Sequence, residues 1–132
     1  MNRMRTTLYE KMFIDGFEKP SYVVATLLLE RPLPHDVLQA AILGTLERHP
    51  RLRSTASVRF GVPVALVPRA PEAWLEQRGL RSLRSADLHA LEEALLGAPL
   101  DLRSTLPLEV YTVADPPALV VKVHHAVIDA SY

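Results

Sequence analysis

Near its C-terminal end the chain runs His124-His125-Ala126-Val127-Ile128-Asp129-Ala130-Ser131. Two adjacent imidazoles followed four residues later by a carboxylate are groups that can move protons. A neutral imidazole, with an ordinary pKa near ~6.5, suits a general base at neutral pH. Such a base can take the proton from a hydroxyl or amine as it attacks a carbonyl group, help worth about 10²- to 10⁴-fold. The chain has no cysteine, so no thiolate nucleophile or zinc-thiolate site is available. A carboxylate beside an imidazole can fix its tautomer, or it can anchor the turn through a basic partner. Neighbouring side chains on a strand point to opposite faces. The two histidines of a strand end therefore do not serve one substrate together, and the same alternation opposes a metal site built from His124, His125 and Asp129.

These groups need a scaffold. The run from Tyr22 to Glu30, rich in Val, Leu and Thr, reads as a strand buried on both faces. Pro34 stands where a helix start tolerates proline. From His35 to Arg48 the apolar residues Val37, Leu38, Ala41, Ile42, Thr45 and Leu46 form one stripe at helical period. His49-Pro50 ends that helix. Leu52 to Phe60 and Val62 to Val67 read as paired strands about a turn at Gly61, and Glu72 to Arg78 as a helical turn around Trp74, a partial core residue. Ser85 is placed to cap a helix from Ala86 to Leu96, which Gly97 and Pro99 stop. Leu108 to Ala114 and Ala118 to His124 read as a hairpin turned at Asp115-Pro116-Pro117. Near the start, Thr7 and Glu10 form a capping box for a short helix through Phe13. The fold class is α+β, with helices packed on a mixed, largely antiparallel sheet.

Bulk properties restrict the function classes. With 132 residues the chain is read as a single domain over 1–132. Fifteen basic residues balance fifteen acidic ones; a nucleic-acid partner is not expected, because phosphate binding needs a basic excess on at least one face. No apolar run has the length of a membrane span, no secretory signal is read at the start, and the absence of cysteine fits a cytoplasmic location.

The string His124-His125-x-x-x-Asp129 followed by a small residue resembles the signature of the CoA-dependent acyltransferase superfamily. That superfamily includes condensation domains of nonribosomal peptide synthetases, chloramphenicol acetyltransferase and wax ester synthases. Arg48-His49-Pro50-Arg51-Leu52-Arg53-Ser54 is similar to the R-H-x-x-L-R-[TS] string of condensation domains. Pro99-Leu100-Asp101-Leu102, followed by Pro107-Leu108, is similar to their P-[FL]-D-L … P-L segment, and Ala118 to His125 to the matching strand of wax ester synthase relatives.

The resemblance implies the N-terminal lobe of a chloramphenicol acetyltransferase-like fold, of which this chain would be most, incomplete and inactive by itself. It implies His125 as general base and His124 as its inward-packing neighbour. Asp129 would be structural, paired with Arg53, with Ala130 and Ser131 beside the substrate. The expected substrate is an acyl thioester on CoA or on a phosphopantetheine carrier, with an alcohol or amine as acceptor, no covalently bound cofactor and no metal. Expected partners are a second lobe, in the same or another chain, and an acyl or peptidyl carrier protein. The alternative is a non-catalytic binding or assembly module that keeps half of the fold.

Two positions depart from the pattern. Ala130 stands where glycine is usual, and Glu109 where an arginine is common. His35 and His89 are read as surface helix residues, His49 as structural at a helix end, and Arg78, Arg81 and Arg84 as a solvated loop rather than a CoA phosphate site. Asp129→Ala is expected to lower the melting temperature more than it alters any binding surface; an unchanged melting curve would rule out the pairing with Arg53.

Overall fold

The computed structural model describes residues 4–5, 22–60 and 62–127. The helix expected over Thr6–Phe13, the turn residue Gly61, and Asp129, Ala130 and Ser131 lie outside the described residues. In chain order the elements are β1 (Met4–Arg5), β2 (Tyr22–Leu28), α1 (His35–Arg48), β3 (Ser54–Arg59), β4 (Val62–Pro68), α2 (Pro71–Gln77), β5 (Leu80–Ser85), α3 (Leu88–Gly97), β6 (Leu108–Asp115) and β7 (Ala118–His124). Single 3₁₀ turns cover Pro50–Arg53 and His125–Val127. The strands form a four-stranded sheet in the order β2-β7-β6-β5 and a three-stranded sheet in the order β1-β4-β3. Among the described strand pairs only β5 and β6 run parallel, so the α+β expectation of a mixed, largely antiparallel sheet holds.

The core lies between the four-stranded sheet and the segments that follow α1. Leu108, Val110 and Val123 from the sheet pack with Leu38 and Leu46 of α1, Leu66 of β4, Trp74 of α2, and Leu100, Leu102 and Leu106 from the α3–β6 connection. Trp74 is fully buried rather than partial core, because its indole N–H finds an acceptor inside, donating to the Leu108 carbonyl at 2.9 Å. On α1 the buried row is Leu38 and Leu46, with Ile42 and Leu43 packed beside it. Val37, expected in the stripe, is 61% exposed. One row of residues four apart meets the core, and Val37 falls a residue off it.

Three further differences have simple causes. β2 is an edge strand, paired among described strands with β7 alone. Val23 (37%) and Leu27 (57%) are exposed on one face, and Leu28 (75%) at the strand's end, so one face is open where both were expected buried. Residues 80–85, read as loop, form β5. The signal lay just before it: Gly79 has φ 69, and its N–H reaches back to the Trp74 carbonyl at 2.8 Å, the close of a helix rather than the start of a loop. β5 hid because it is a polar edge strand in which only Leu80 is buried. Finally Asp87, not Ser85, caps α3 by accepting the Ala90 N–H at 3.1 Å. Ser85 is taken up as the last residue of β5, and Leu52 and Arg53 belong to the 3₁₀ turn that proline at its first position favours.

Trp74→Phe keeps most of the apolar bulk and leaves the Leu108 carbonyl buried without its donor. A loss of about 1–3 kcal/mol is expected, measured by urea denaturation monitored by circular dichroism; a change below a few tenths would mean that the bond contributes nothing.

Candidate active site

β7 ends on the histidines. It lies between β2 and β6 and no residue from Ala118 to His124 is exposed. Odd and even positions face opposite sides of the sheet. Val121 and Val123 belong to the core side, while Ala118, Val120, Lys122 and His124, each buried, share the other. At His124 the strand stops, its N–H donating to the Pro107 carbonyl at 3.1 Å. His125, half-buried, opens the 3₁₀ turn His125–Val127, and Val127 is drawn fully into the core. The two imidazoles therefore belong to different local structures, not to successive positions of one strand.

His124 meets the ring of its cross-strand partner Tyr22 in a T-shaped contact, centroids 5.6 Å apart. Burial, then neighbouring His125, then Lys122, push the His124 imidazolium down to a pKa of about 4. At neutral pH His124 is thus uncharged, and the half-buried His125 is the histidine with some exposure to solvent.

A charged cluster that sequence reasoning passed over lies behind the pair. Lys122 is fully buried. Its Nζ donates to the Ala98 carbonyl at 2.6 Å, lies 3.8 Å from Glu109 Oε2, and sits 4.2 Å from the Tyr22 ring centroid. Burial lowers its pKa and Glu109 opposes that. Glu109 is the register partner of Lys122 on β6. Its other oxygen accepts the Tyr111 hydroxyl at 2.9 Å and lies 3.9 Å from Arg78. Burial, with Glu109 beside it, raises the Tyr111 pKa. The signal was present in the sequence: a lysine inside an apolar strand needs a buried partner, and the acid at position 109 supplies it.

The other site residues scatter. Arg53 donates from Nε to the Leu46 carbonyl at 2.7 Å and from Nη1 to the Arg69 carbonyl at 2.6 Å; its expected partner Asp129 lies outside the described residues. Arg78, Arg81 and Arg84 are not a solvated loop. Arg78 reaches toward the Leu106 carbonyl and Glu109, Arg81 lies over the Tyr111 ring, and Arg84 is exposed on β5. His35 and His89 are on helix surfaces, beside Ser82 and Glu93, and His49 caps the end of α1. Among the described residues no three His, Cys, Asp or Glu side chains are grouped to hold a metal.

Solved structures share this architecture. The tallysomycin biosynthesis protein TlmII superposes with a TM-score of 0.71 at 20% identity over 94% of this chain. The X-domain from teicoplanin biosynthesis, solved in complex with OxyB, gives 0.68 at 20% over 95%. The structure titled for condensation domain-mediated chain release from the enacyloxin polyketide synthase gives 0.61 at 16% over 95%. The chain shares the fold of the matching part of these structures. It spans about 30% of the length of these structures: 33%, 28% and 27% in turn. No protein-family model matches the chain, and no curated protein does. No described helix is long and apolar enough to cross a membrane.

The depressed His124 gives a signed pH dependence. Unfolded, the imidazole titrates near ~6.5, so between that value and about 4 the unfolded chain binds a proton that the folded chain does not. Stability from this group is complete above ~6.5 and falls as pH drops through the window, by roughly 2–4 kcal/mol at its foot. Urea denaturation across this range is expected to show the slope in the wild type and a smaller one in His124→Gln; equal slopes would contradict it.

Proposed function

We propose that the chain is the N-terminal portion of an acyltransferase or condensation-type enzyme in which His125 is the general base. The attacking hydroxyl or amine of the acceptor gives its proton to the His125 imidazole as its oxygen or nitrogen bonds to the thioester carbonyl carbon. When the carbon–sulfur bond breaks, the imidazolium returns the proton to the departing thiolate, which leaves as the thiol. The donor is an acyl-CoA or an acyl group on a phosphopantetheine carrier protein. The observation that carries this reading is the contrast at the end of β7: a buried His124 kept neutral, and beside it a half-buried His125 on the turn that leaves the sheet, in a chain that shares the fold of the matching part of those solved structures.

In this reading Asp129 is structural, with Arg53 as its partner, and Ala130 and Ser131 stand near the substrate. Arg53 is compatible with such a role, because a planar guanidinium held by two carbonyls has donors left for a carboxylate. The rest of the enzyme is a second lobe forming the other wall of the site, and the carrier protein is a transient partner. A location in the cytoplasm goes with a chain that has no cysteine to oxidise.

One observation favours a second reading, a binding or assembly module without chemistry: the similar X-domain was solved as a complex with OxyB. In the complete protein, His125→Ala is expected to reduce acyl transfer by about 10²- to 10⁴-fold with little change in melting temperature. Full activity in that variant would refute the base. No transfer by the complete wild type from either CoA or carrier thioesters would favour the binding module.

A further inference from the structure

The α3 side of the four-stranded sheet joins Lys122, Tyr22 and His124 into one packed group. Lys122 and His124 are two residues apart on β7 and so share a face. Tyr22 stands opposite His124 on β2 and diagonal to Lys122. Its ring is used twice: the ammonium lies 4.2 Å from its centroid, and His124 packs against it in a T-shape. The Tyr22 hydroxyl is fixed too, accepting the Leu100 N–H at 2.7 Å. The ammonium is held from a third side by the carbonyl of Ala98, the residue that ends α3. The negative end of a helix dipole favours a cation there. From β6, Glu109 closes the group.

We propose that Lys122 is a positioning residue for the histidine pair: its buried ammonium, held by the Ala98 carbonyl and Glu109, fixes the Tyr22 ring against His124 and adds its charge to the burial of that side chain, leaving His125 as the member of the pair that exchanges a proton with substrate. The inference deepens the reading of His125 as base and rests on it.

The groups around His124 make the sign clear. Lys122 faces it from its own strand and His125 from the following turn, and both oppose a positive charge on it. From β2 comes Tyr22. Glu109 and Tyr111 of β6 and Arg78 after α2 lie behind Lys122, where Glu109 is shared among Lys122, Tyr111 and Arg78. Glu92 of α3 accepts from Thr26, farther along β2. The described carboxylates of this face, Glu92 and Glu109, are thus engaged elsewhere, while the Lys122 ammonium is a neighbour of His124 on the same face. Were His124 able to take a proton near neutrality, two adjacent imidazoles would titrate as a coupled pair and neither would have a pKa of its own.

Ring resonances of the labelled histidines, followed against pH in the full chain, test this. In Lys122→Gln, which removes the charge and keeps a polar side chain, the His124 midpoint is expected to rise by roughly half a pKa unit or more, with a shift in the Tyr22 ring signals. Lys122→Arg, which keeps the charge, is expected to hold the wild-type midpoint. A folded Lys122→Gln with an unmoved His124 midpoint overturns the proposal. Should Lys122→Gln fail to fold, the nitrogen resonance of Lys122 in the wild type decides: an ammonium at pH 7 supports the proposal, and a neutral amine overturns it. Undiminished acyl transfer by His125→Ala would instead remove the reading on which the inference rests, while the His124 shift would remain measurable in its own right.

Discussion

β7 is covered on both faces, and that constraint sets what its end can do. A central strand has no solvent-exposed side on which to leave a polar residue, so each side chain from Ala118 to His124 must be apolar or be provided with partners. Val121 and Val123 meet the first condition in the core. Lys122 and His124 meet the second, on the other face, among Tyr22, Glu109 and the end of α3. The same burial that makes Lys122 and His124 expensive to charge makes them sensitive to one another, because the field of one ammonium reaches its neighbour through little water.

Cations also hold the ends of the helices. α1 closes against Arg53, whose Nε takes the Leu46 carbonyl, and α3 closes against Lys122, whose Nζ takes the carbonyl of Ala98. In each case a side chain from outside the helix satisfies a carbonyl that the helix itself leaves open. The two contacts differ in reach. Arg53 comes from the 3₁₀ turn that directly follows α1 and also grips the Arg69 carbonyl at the end of the β3–β4 hairpin, so it staples one local corner. Lys122 joins α3 to the sheet across 24 residues and, through Glu109, to its neighbouring strand.

Elements whose faces differ strongly in polarity were legible in the sequence. The helix over His35–Arg48 and the Leu108–His124 hairpin follow from periodicity and punctuation alone. Elements set by position in the sheet were not. β2 has the composition of a buried strand yet lies at an edge with Leu27 and Leu28 exposed, and nothing in its own residues records how many neighbours it has. β5 has the composition of a loop yet completes the sheet by parallel pairing with β6, a partner that only tertiary structure supplies. In the candidate site the histidines stood out because a motif names them. Lys122 and Glu109 did not, because each is ordinary alone and informative only as a register pair.

The two histidines show how little separation is needed for different surroundings. They are identical side chains one residue apart, yet one continues the strand and the other starts a turn. A 3₁₀ turn advances three residues per revolution, and here it carries Val127 inward to the core. That inward pull ends the strand at His124 and gives His125 a direction that strand alternation would not have given. His124 remains buried, packed on Tyr22 and short of water, where a charge is costly. His125 stands where the chain leaves that cover, half-buried. An imidazole useful as a base must be able both to take a proton and to give it up near the working pH. His124 fails the first requirement through its surroundings, not its identity, and the burial that disqualifies it also anchors the turn on which His125 stands.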